Sequence, residues 1–263
     1  MSLKEIVNQE HITKFFRASY QAKRFAGCYL FIGKEGAGKV KAAREFAKLI
    51  NCRNAVDDSC GECLSCQKIA QDKHVDVHWF RPVDNSISIA QARELEKYMY
   101  LKPYESDTKV FIICGAQCLT QESSNALLKT LEEPARDSVI ILIVNDVNDL
   151  LPTITSRCQK ILFNSTDESR IQDILVHKYK VPLSQAHFIS YLAEGDLDRA
   201  LEFKDLKETL FEKRSFILNS IYYRQFALFK MEEFNIKDNA QKKKSINLLL
   251  DILISSFRDL LFF

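Results

Sequence analysis

The sequence predicts an α/β protein: a parallel sheet flanked by helices that carries a phosphate-binding loop, then a small helical lid and a short helical C-terminal region. Three observations predict it. Segments that are apolar on both faces, such as Val110–Ile113 and Val139–Val144, alternate with helical patterns, as in parallel sheets covered on both sides. A glycine-rich loop follows the first apolar segment. Beyond residue 164 the periodicity is helical.

The first predicted elements frame the glycine-rich loop. An opening helix has apolar residues at i, i+3, i+4 and i+8, namely Ile12, Phe15, Phe16 and Tyr20. The strand Tyr29–Ile32 leads into the loop, and the helix after it has an apolar face of Ala43, Phe46, Ala47 and Ile50. A strand, a glycine-rich loop and a helix in this order are the context that a phosphate-binding loop requires, so a chance turn is the less favoured alternative.

The loop itself, residues 33–40, reads GKEGAGKV and matches a phosphate-binding loop at every position but the last. The pattern needs a Ser or Thr hydroxyl for Mg²⁺ where Val40 stands, and valine cannot ligate a metal. Backbone N–H groups and a lysine still suit phosphate. We therefore expect a degenerate nucleotide site in which ATP binds weakly without Mg²⁺ or not at all, formed by Gly33, Gly36, Gly38 and Lys39.

A second expected metal ligand is also missing. Phosphoryl-transfer sites of this type place an Asp after another core strand to hold Mg²⁺, with a Glu near the attacking water. The matching strand, Val110–Ile113, runs into Cys114–Gln117, which contains neither acid. We expect that the isolated chain does not hydrolyse ATP and is not an enzyme on its own.

The middle of the chain continues the alternation of strands and helices. A strand is predicted over Val75–Phe80, where His74, His78 and Trp79 are interpreted as framework residues rather than ligands. Ser88–Gln91 has the form of a capping box and begins a helix that ends before Pro103. A helix around Asn125–Leu128 and a short strand, Lys160–Phe163, complete a nucleotide-type domain over residues 1–164.

Four of the eight cysteines lie within fifteen residues, and the last three form two overlapping C-x₂-C steps. This spacing is typical of a tetrahedral Zn²⁺ site with four thiolates, and four protein ligands leave no open position for water. We predict a structural zinc knuckle over residues 52–66, held by Cys52, Cys60, Cys63 and Cys66. Free thiols are the alternative. The other four are interpreted as buried, inert thiols: Cys28, Cys114, Cys118 and Cys158.

The remaining sequence predicts helices. Residues 165–205 form a small lid domain, with helices around Ile171–Leu175, His187–Leu192 and Leu197–Phe203. Residues 206–263 are predicted as a helical C-terminal region, whose last helix has an apolar stripe from Ile246 to Leu261. That stripe is expected either to pack in its own bundle or to meet another subunit.

Composition narrows the function classes. The formal net charge is +2, from 37 basic and 35 acidic residues, so the overall charge does not indicate a nucleic-acid binder. No apolar run is long enough for a signal core or a membrane span. We expect a cytoplasmic location, with any DNA contact made by a local patch or by partners.

Two further motifs carry a family resemblance. Asn125–Pro134, NALLKTLEEP, and Leu151–Cys158, LPTITSRC, resemble the bacterial clamp-loader branch of the AAA+ ATPases. The resemblance covers about residues 1–205 and implies an AAA+ domain followed by a helical lid. The cysteine knuckle after the phosphate loop is also a family feature. The changed loop and the absent acids are similar to the delta-prime type, the non-hydrolysing subunit of the DNA polymerase III clamp loader.

The resemblance also implies roles for three polar residues. Arg157, in Ser156-Arg157-Cys158, lies where the family supplies an arginine finger in trans to a neighbour's ATP, a role that suits a permanently charged, planar guanidinium. An ion pair with a local carboxylate is the alternative for Arg157. Asn145 occupies the position that senses the γ-phosphate, and Arg199 resembles the lid arginine that does so from the second domain.

The implied partners are motor subunits of the gamma/tau type and delta-type subunits, with the sliding clamp and primed DNA contacted mainly through the complex. The chain would then be an accessory subunit of the polymerase holoenzyme. Family members carry a helical collar of about a hundred residues, whereas 58 residues follow Asp205, so the collar is reduced or truncated. Two other functions compete: a motor subunit or helicase loader with an atypical site, and a zinc-dependent DNA-binding module, which the near-neutral charge disfavours.

Overall fold

The computed structural model describes Leu3, residues 9–193 and residues 195–205. The chain divides into two compact units between Thr166 and Asp167. The predictions for residues 206–263, including the apolar stripe, lie outside the described residues. Among the described residues, no helix is both long and apolar enough to cross a membrane.

A five-stranded parallel sheet forms the centre of the first unit. Its strands are β1 (Cys28–Ile32), β2 (Val77–Phe80), β3 (Lys109–Cys114), β4 (Ser138–Val144) and β5 (Gln159–Leu162). Their order across the sheet is β2-β3-β4-β1-β5, and all four neighbouring pairs are parallel. The carboxyl end of β1 therefore lies between those of β4 and β5. The predicted parallel sheet flanked by helices is confirmed.

Six α-helices lie around the sheet in the described part of the first unit: α1 (Glu10–Gln21), α2 (Lys39–Asn51), α3 (Leu64–Ala70), α4 (Ile89–Met99), α5 (Gln121–Glu132) and α6 (Pro152–Thr155). The predicted capping box at the start of α4 is confirmed. The Gln91 N–H donates to Ser88 Oγ over 3.5 Å, and the Ser88 N–H donates to Gln91 Oε1 over 3.1 Å. These bonds satisfy helix donors that have no partner within the helix.

The sheet separates two apolar cores because successive strand residues point to opposite faces. Tyr29 and Phe31 of β1 lie in the core that α1 and α2 cover, whereas Leu30 belongs to the core that α4 and α5 cover. On the first face, Phe16 and Phe46 stack with ring centroids 4.1 Å apart. Every residue of β1 is buried, which explains why its sequence is apolar without alternation.

The strand β2 begins two residues later than the sequence pattern predicts. Val77 N donates to His74 O over 3.2 Å, which closes a turn ahead of the strand. Val75 lies in this turn and is half exposed. The apolar character of Val75 therefore extended the predicted strand beyond its true start.

The described part of the second unit consists of α7 (Glu168–His177), α8 (Leu183–Leu192) and α9 (Leu197–Asp205). These helices bury an apolar cluster of their own, which includes Ile171, Ile189 and Phe203. All three predicted helices are present. The role of this unit as a lid stays a prediction.

Candidate nucleotide and metal sites

The glycine-rich loop joins β1 to α2 at the carboxyl edge of the sheet. Gly36 and Gly38 have φ values of 75° and 80°, in the left-handed region that favours glycine. Gly33 needs its missing side chain for another reason: a Cβ there would lie 2.5 Å from Phe163 O. The glycines of the motif are thus explained by the backbone geometry of the loop.

Lys39 is buried, with 6% of its surface exposed. Its ammonium group donates hydrogen bonds to Gly33 O, to Lys34 O at 2.9 Å and to Asn145 Oδ1 at 3.0 Å. A lysine ammonium has three donors, so all three are engaged. Burial lowers the pKa of Lys39 to about 8, opposed by the nearby Glu35 carboxylate.

Neither of the two expected Mg²⁺ positions offers an oxygen side chain. Val40 follows Lys39 and is partly exposed, and Cys114 ends β3, before a left-handed Gly115 with φ 66°. Burial raises the pKa of the Cys114 thiol, although Arg81 and Arg44 act in the opposite direction. Because Mg²⁺ prefers oxygen ligands, a protonated thiol is a poor substitute for the missing acid.

The four clustered cysteines converge on one point. Their sulfur atoms all lie within 4.8 Å of one another, with Cys52 Sγ 3.5 Å from Cys60 Sγ and 3.9 Å from Cys63 Sγ. Zn–S bonds of about 2.3 Å place the sulfurs of a tetrahedral site about 3.8 Å apart. The donor set and its spacing therefore fit a structural zinc ion.

Backbone hydrogen bonds support thiolates in this cluster. The Cys60 N–H donates to Cys52 Sγ and the Cys63 N–H donates to Cys60 Sγ, each over 3.3 Å. Burial raises the pKa of the Cys63 thiol, but hydrogen bonds from the N–H groups of Cys66 and Arg53 and from the thiols of Cys66 and Cys60 together outweigh burial and lower this pKa to about 6. Cys66 is the most buried of the four, and burial raises its pKa. Cys63 is thus the thiol of this set whose lowered pKa favours loss of its proton before a metal binds.

The knuckle is tied to the start of the chain. Asp58 accepts hydrogen bonds from the N–H groups of Leu3 and Ser59, and Leu3 is fully buried. Gln21 at the end of α1 donates to Asp57 over 2.8 Å. These contacts join residues that are 55 and 36 positions apart in the chain, and no sequence pattern predicts them.

Arg157 lies just after α6 and forms an ion pair with Glu132, the last residue of α5. Its Nε and Nη2 both donate to Glu132 Oε1, with Nε 2.8 Å from that oxygen. Nη1 donates to Thr153 O over 2.5 Å. About a third of the Arg157 side chain stays exposed. The local carboxylate that the sequence left open as an alternative is therefore present.

The sequence that forms this fold and these sites matches a known protein family. A family model described as "DNA polymerase III, delta subunit" matches residues 8–167, which include the phosphate loop, the knuckle and Arg157. The chain belongs to the DNA polymerase III delta-subunit family. This match confirms the resemblance to the delta-prime type that the sequence motifs predicted.

Curated relatives agree with the family model. Subunit delta' of DNA polymerase III from Bacillus subtilis is 31% identical over 264 residues, which cover 96% of this chain and 77% of the relative. Subunit tau from the same organism is 33% identical and covers 76% of this chain. The match spans only 37% of that tau subunit and 25% of the tau/gamma subunit from Haemophilus influenzae.

Solved structures support the AAA+ fold that the sequence predicts for this delta-family chain. A gamma subunit-related protein of DNA polymerase III from Thermotoga maritima aligns with a TM-score of 0.55 and 21% identity over 84% of this chain and 64% of its own. The RuvB Holliday junction branch migration motor from Thermotoga maritima aligns with a TM-score of 0.52 and 15% identity, over 89% and 72%. At these identities the likeness concerns the fold alone.

Most of the predicted site residues of this delta-family chain lie in one of two places: the glycine-rich loop with Asn145, or the cluster of four cysteines. Lys39 contacts Gly33 and Asn145 because β4, which precedes Asn145, pairs directly with β1. Arg199 lies in the second unit, where its guanidinium packs 5.2 Å from the centre of the Phe203 ring. Glu132 was missed as a site residue, although it belongs to the NALLKTLEEP motif.

Proposed function

We propose that this chain is a non-hydrolysing, delta-prime-type subunit of the DNA polymerase III clamp loader, which assists ATP-dependent loading of the sliding clamp onto primed DNA. One observation carries the proposal: the two positions that should ligate Mg²⁺ in a phosphate-loop ATPase are Val40 and Cys114, neither of which offers an oxygen. The relatives named delta' and tau support the assignment to this complex. Its direct partners would be gamma/tau-type motor subunits and delta-type subunits.

The chemistry of phosphoryl transfer explains why these two positions matter. The metal bridges the β- and γ-phosphate oxygens and neutralises the charge that develops on them, and an acid nearby orients the attacking nucleophile. A loop with only backbone N–H groups and Lys39 can hold phosphates without activating them. Lys39 is moreover bound to Gly33 O, Lys34 O and Asn145 Oδ1. We therefore propose weak or absent ATP binding and no turnover in cis.

Arg157 would be the catalytic contribution of this chain to the complex. Its guanidinium stays charged at all physiological pH values and remains about a third exposed beside Glu132. In other phosphate-loop enzymes an arginine supplied in trans raises the rate by about 10³–10⁵. The ion pair with Glu132 is compatible with this role, because it leaves part of the guanidinium exposed for a phosphate contact.

Zinc would have a structural role in this subunit. Cys52, Cys60, Cys63 and Cys66 would hold the ion, which closes the loop of residues 52–66 and leaves no position for a reacting water. The hydrogen bonds from Leu3 and Gln21 to Asp58 and Asp57 then fasten the closed knuckle to the start of the chain and to α1.

A phosphate-release assay tests the proposed function. Purified chain with ATP and Mg²⁺, in the absence of partners, is expected to release no more phosphate than a blank without protein.

The competing function, a motor subunit with an atypical site, has one observation in its favour, the 33% identity to a tau subunit. Steady Mg²⁺-dependent turnover that follows the chain through successive purification steps would establish that alternative and refute the proposal.

A further inference from the structure

The hydrogen bonds of Arg157 use only part of its guanidinium. The side chain has five N–H donors, and three are engaged: Nε and one Nη2 donor with Glu132 Oε1, and one Nη1 donor with Thr153 O. The other two, one on Nη1 and one on Nη2, have no partner among the described residues. The guanidinium is therefore held in place while two of its donors stay available.

The two residues of this contact lie at the ends of two helices. Glu132 is the last residue of α5, and Arg157 lies two residues beyond the end of α6; these helices pack against each other. The neighbouring Leu131 is buried in the core on this face of the sheet, which fixes the backbone of Glu132. A carboxylate on such a support restricts a flexible arginine to one arrangement, and a planar guanidinium so restricted loses less freedom when it binds an oxyanion.

We propose that Glu132 is a positioning residue for Arg157, which holds the guanidinium by its Nε edge so that the remaining two donors meet phosphate oxygens of a nucleotide bound to a neighbouring subunit. This inference rests on the proposed function of Arg157 as a finger in trans. Glu132 itself touches no substrate. Its carboxylate also reduces the positive potential of Arg157, but about half of the Glu132 side chain is exposed, so solvent screens that effect.

The experiment uses the full chain in a clamp loader reconstituted with its motor and delta-type subunits, with clamp and primed DNA present. Arg157→Ala gives the benchmark for loss of the finger. Glu132→Ala is expected to lower kcat roughly three- to tenfold, which corresponds to the net contribution of an ordinary, partly exposed hydrogen bond. The ratio kcat/KM should fall equally, since the contact acts in the transition state. Glu132→Gln, which keeps an acceptor oxygen, should show a smaller fall. Combining Glu132→Ala with Arg157→Ala should add no further loss.

Glu133→Ala is the matched control. Its side chain is exposed, it carries the same charge one residue away, and no partner for its carboxylate is found among the described residues. This variant should turn over ATP as the unmodified complex does. An equal loss in Glu133→Ala and Glu132→Ala would overturn the inference, because it would indicate a general charge effect.

The outcomes separate the inference from the function on which it rests. Unchanged turnover in Arg157→Ala would remove the finger and, with it, any role of Glu132. A large loss in Arg157→Ala together with unchanged turnover in Glu132→Ala would leave the finger in place and overturn only the positioning role. If Glu132→Ala fails to assemble, Glu132→Gln decides: reduced turnover at an unchanged melting temperature supports the inference, and full turnover overturns it.

Discussion

At the scale of single residues, Lys39 illustrates how a binding residue is also part of the fold. It is buried, and its ammonium group donates to two carbonyls of the glycine-rich loop and to Asn145. Burial nevertheless lowers its pKa to about 8, because the carbonyl dipoles replace only part of the hydration that a charged amine has in water. The charge of Lys39 thus costs folding free energy at neutral pH.

This cost predicts a pH dependence of stability. The unfolded chain keeps the Lys39 proton up to an ordinary pKa of about 10.4, whereas the folded chain releases it near pH 8. Between these values the unfolded state binds more protons, so the free energy of unfolding rises with pH, by at most about 3 kcal/mol. Urea unfolding of the unmodified chain and of Lys39→Met should show this rise in their difference between pH 7.5 and 10. A difference that is flat over this range would contradict it.

At the scale of elements, the cysteine knuckle is a short loop with two attachments to the rest of its unit. Its sulfurs face one another, Asp58 binds the N–H of Leu3, and Asp57 binds Gln21 of α1. A loop of this kind has little apolar surface of its own to bury, so a metal is the natural source of its stability. Its attachments extend that stability to α1 and to the buried Leu3.

Replacing one ligand tests the knuckle. Cys63→Ser is expected to lower bound zinc from about one ion per chain to nearly none, since three thiolates hold a structural ion far less firmly than four. It should also reduce amide protection in residues 52–66 and in α1. Elemental analysis and hydrogen exchange measure both effects. Cys118→Ser, which removes a thiol outside the cluster, should change neither. An unmodified chain that purifies without stoichiometric zinc would contradict the prediction.

Sequence patterns predicted the local parts of the structure well. The strands β1, β3 and β4 are buried on both faces, so their apolar runs were unambiguous, and the Ser88–Gln91 capping box is a contact between close neighbours in the chain. The start of β2 was wrong by two residues, because an exposed valine in a turn resembles a strand residue.

Long-range polar contacts were beyond the sequence patterns. Asp76 accepts hydrogen bonds from the backbone N–H groups of residues 104–106, and Asp72 pairs with Arg44 and Arg81, each of which lies over the Trp79 ring. The pairing of Glu132 with Arg157 was missed for the same reason. Each contact depends on which strands are adjacent, and the order β2-β3-β4-β1-β5 does not follow from periodicity.

At the scale of the whole molecule, the chain combines a phosphate loop that lacks its metal ligands with a partly exposed arginine elsewhere on the same unit. In the proposed complex these features serve different subunits: the loop is inactive in cis, and Arg157 acts on a neighbour. A protein organised in this way has its effect only after assembly.

Addition of the chain to a motor-subunit preparation should therefore raise ATP turnover. Phosphate release measured across a titration of the chain is expected to increase and then saturate, because each chain completes one neighbouring site. The Arg157→Ala chain should bind equally, as judged by sedimentation, but give little increase. Binding of the unmodified chain with no change in turnover would contradict the proposal at this scale.

The self-bonded Lys39 has a last consequence, for ligand selectivity. Gly33 O, Lys34 O and Asn145 Oδ1 act as tethered competitors for the ammonium group, and a group held in the same molecule competes at a millimolar or higher effective concentration. An incoming anion must first displace them. Ligands at low concentration, or with a single negative charge, should therefore bind least well. The same bonds join the loop that follows β1 to Asn145 at the end of β4, so Lys39 is also a structural link between two neighbouring strands.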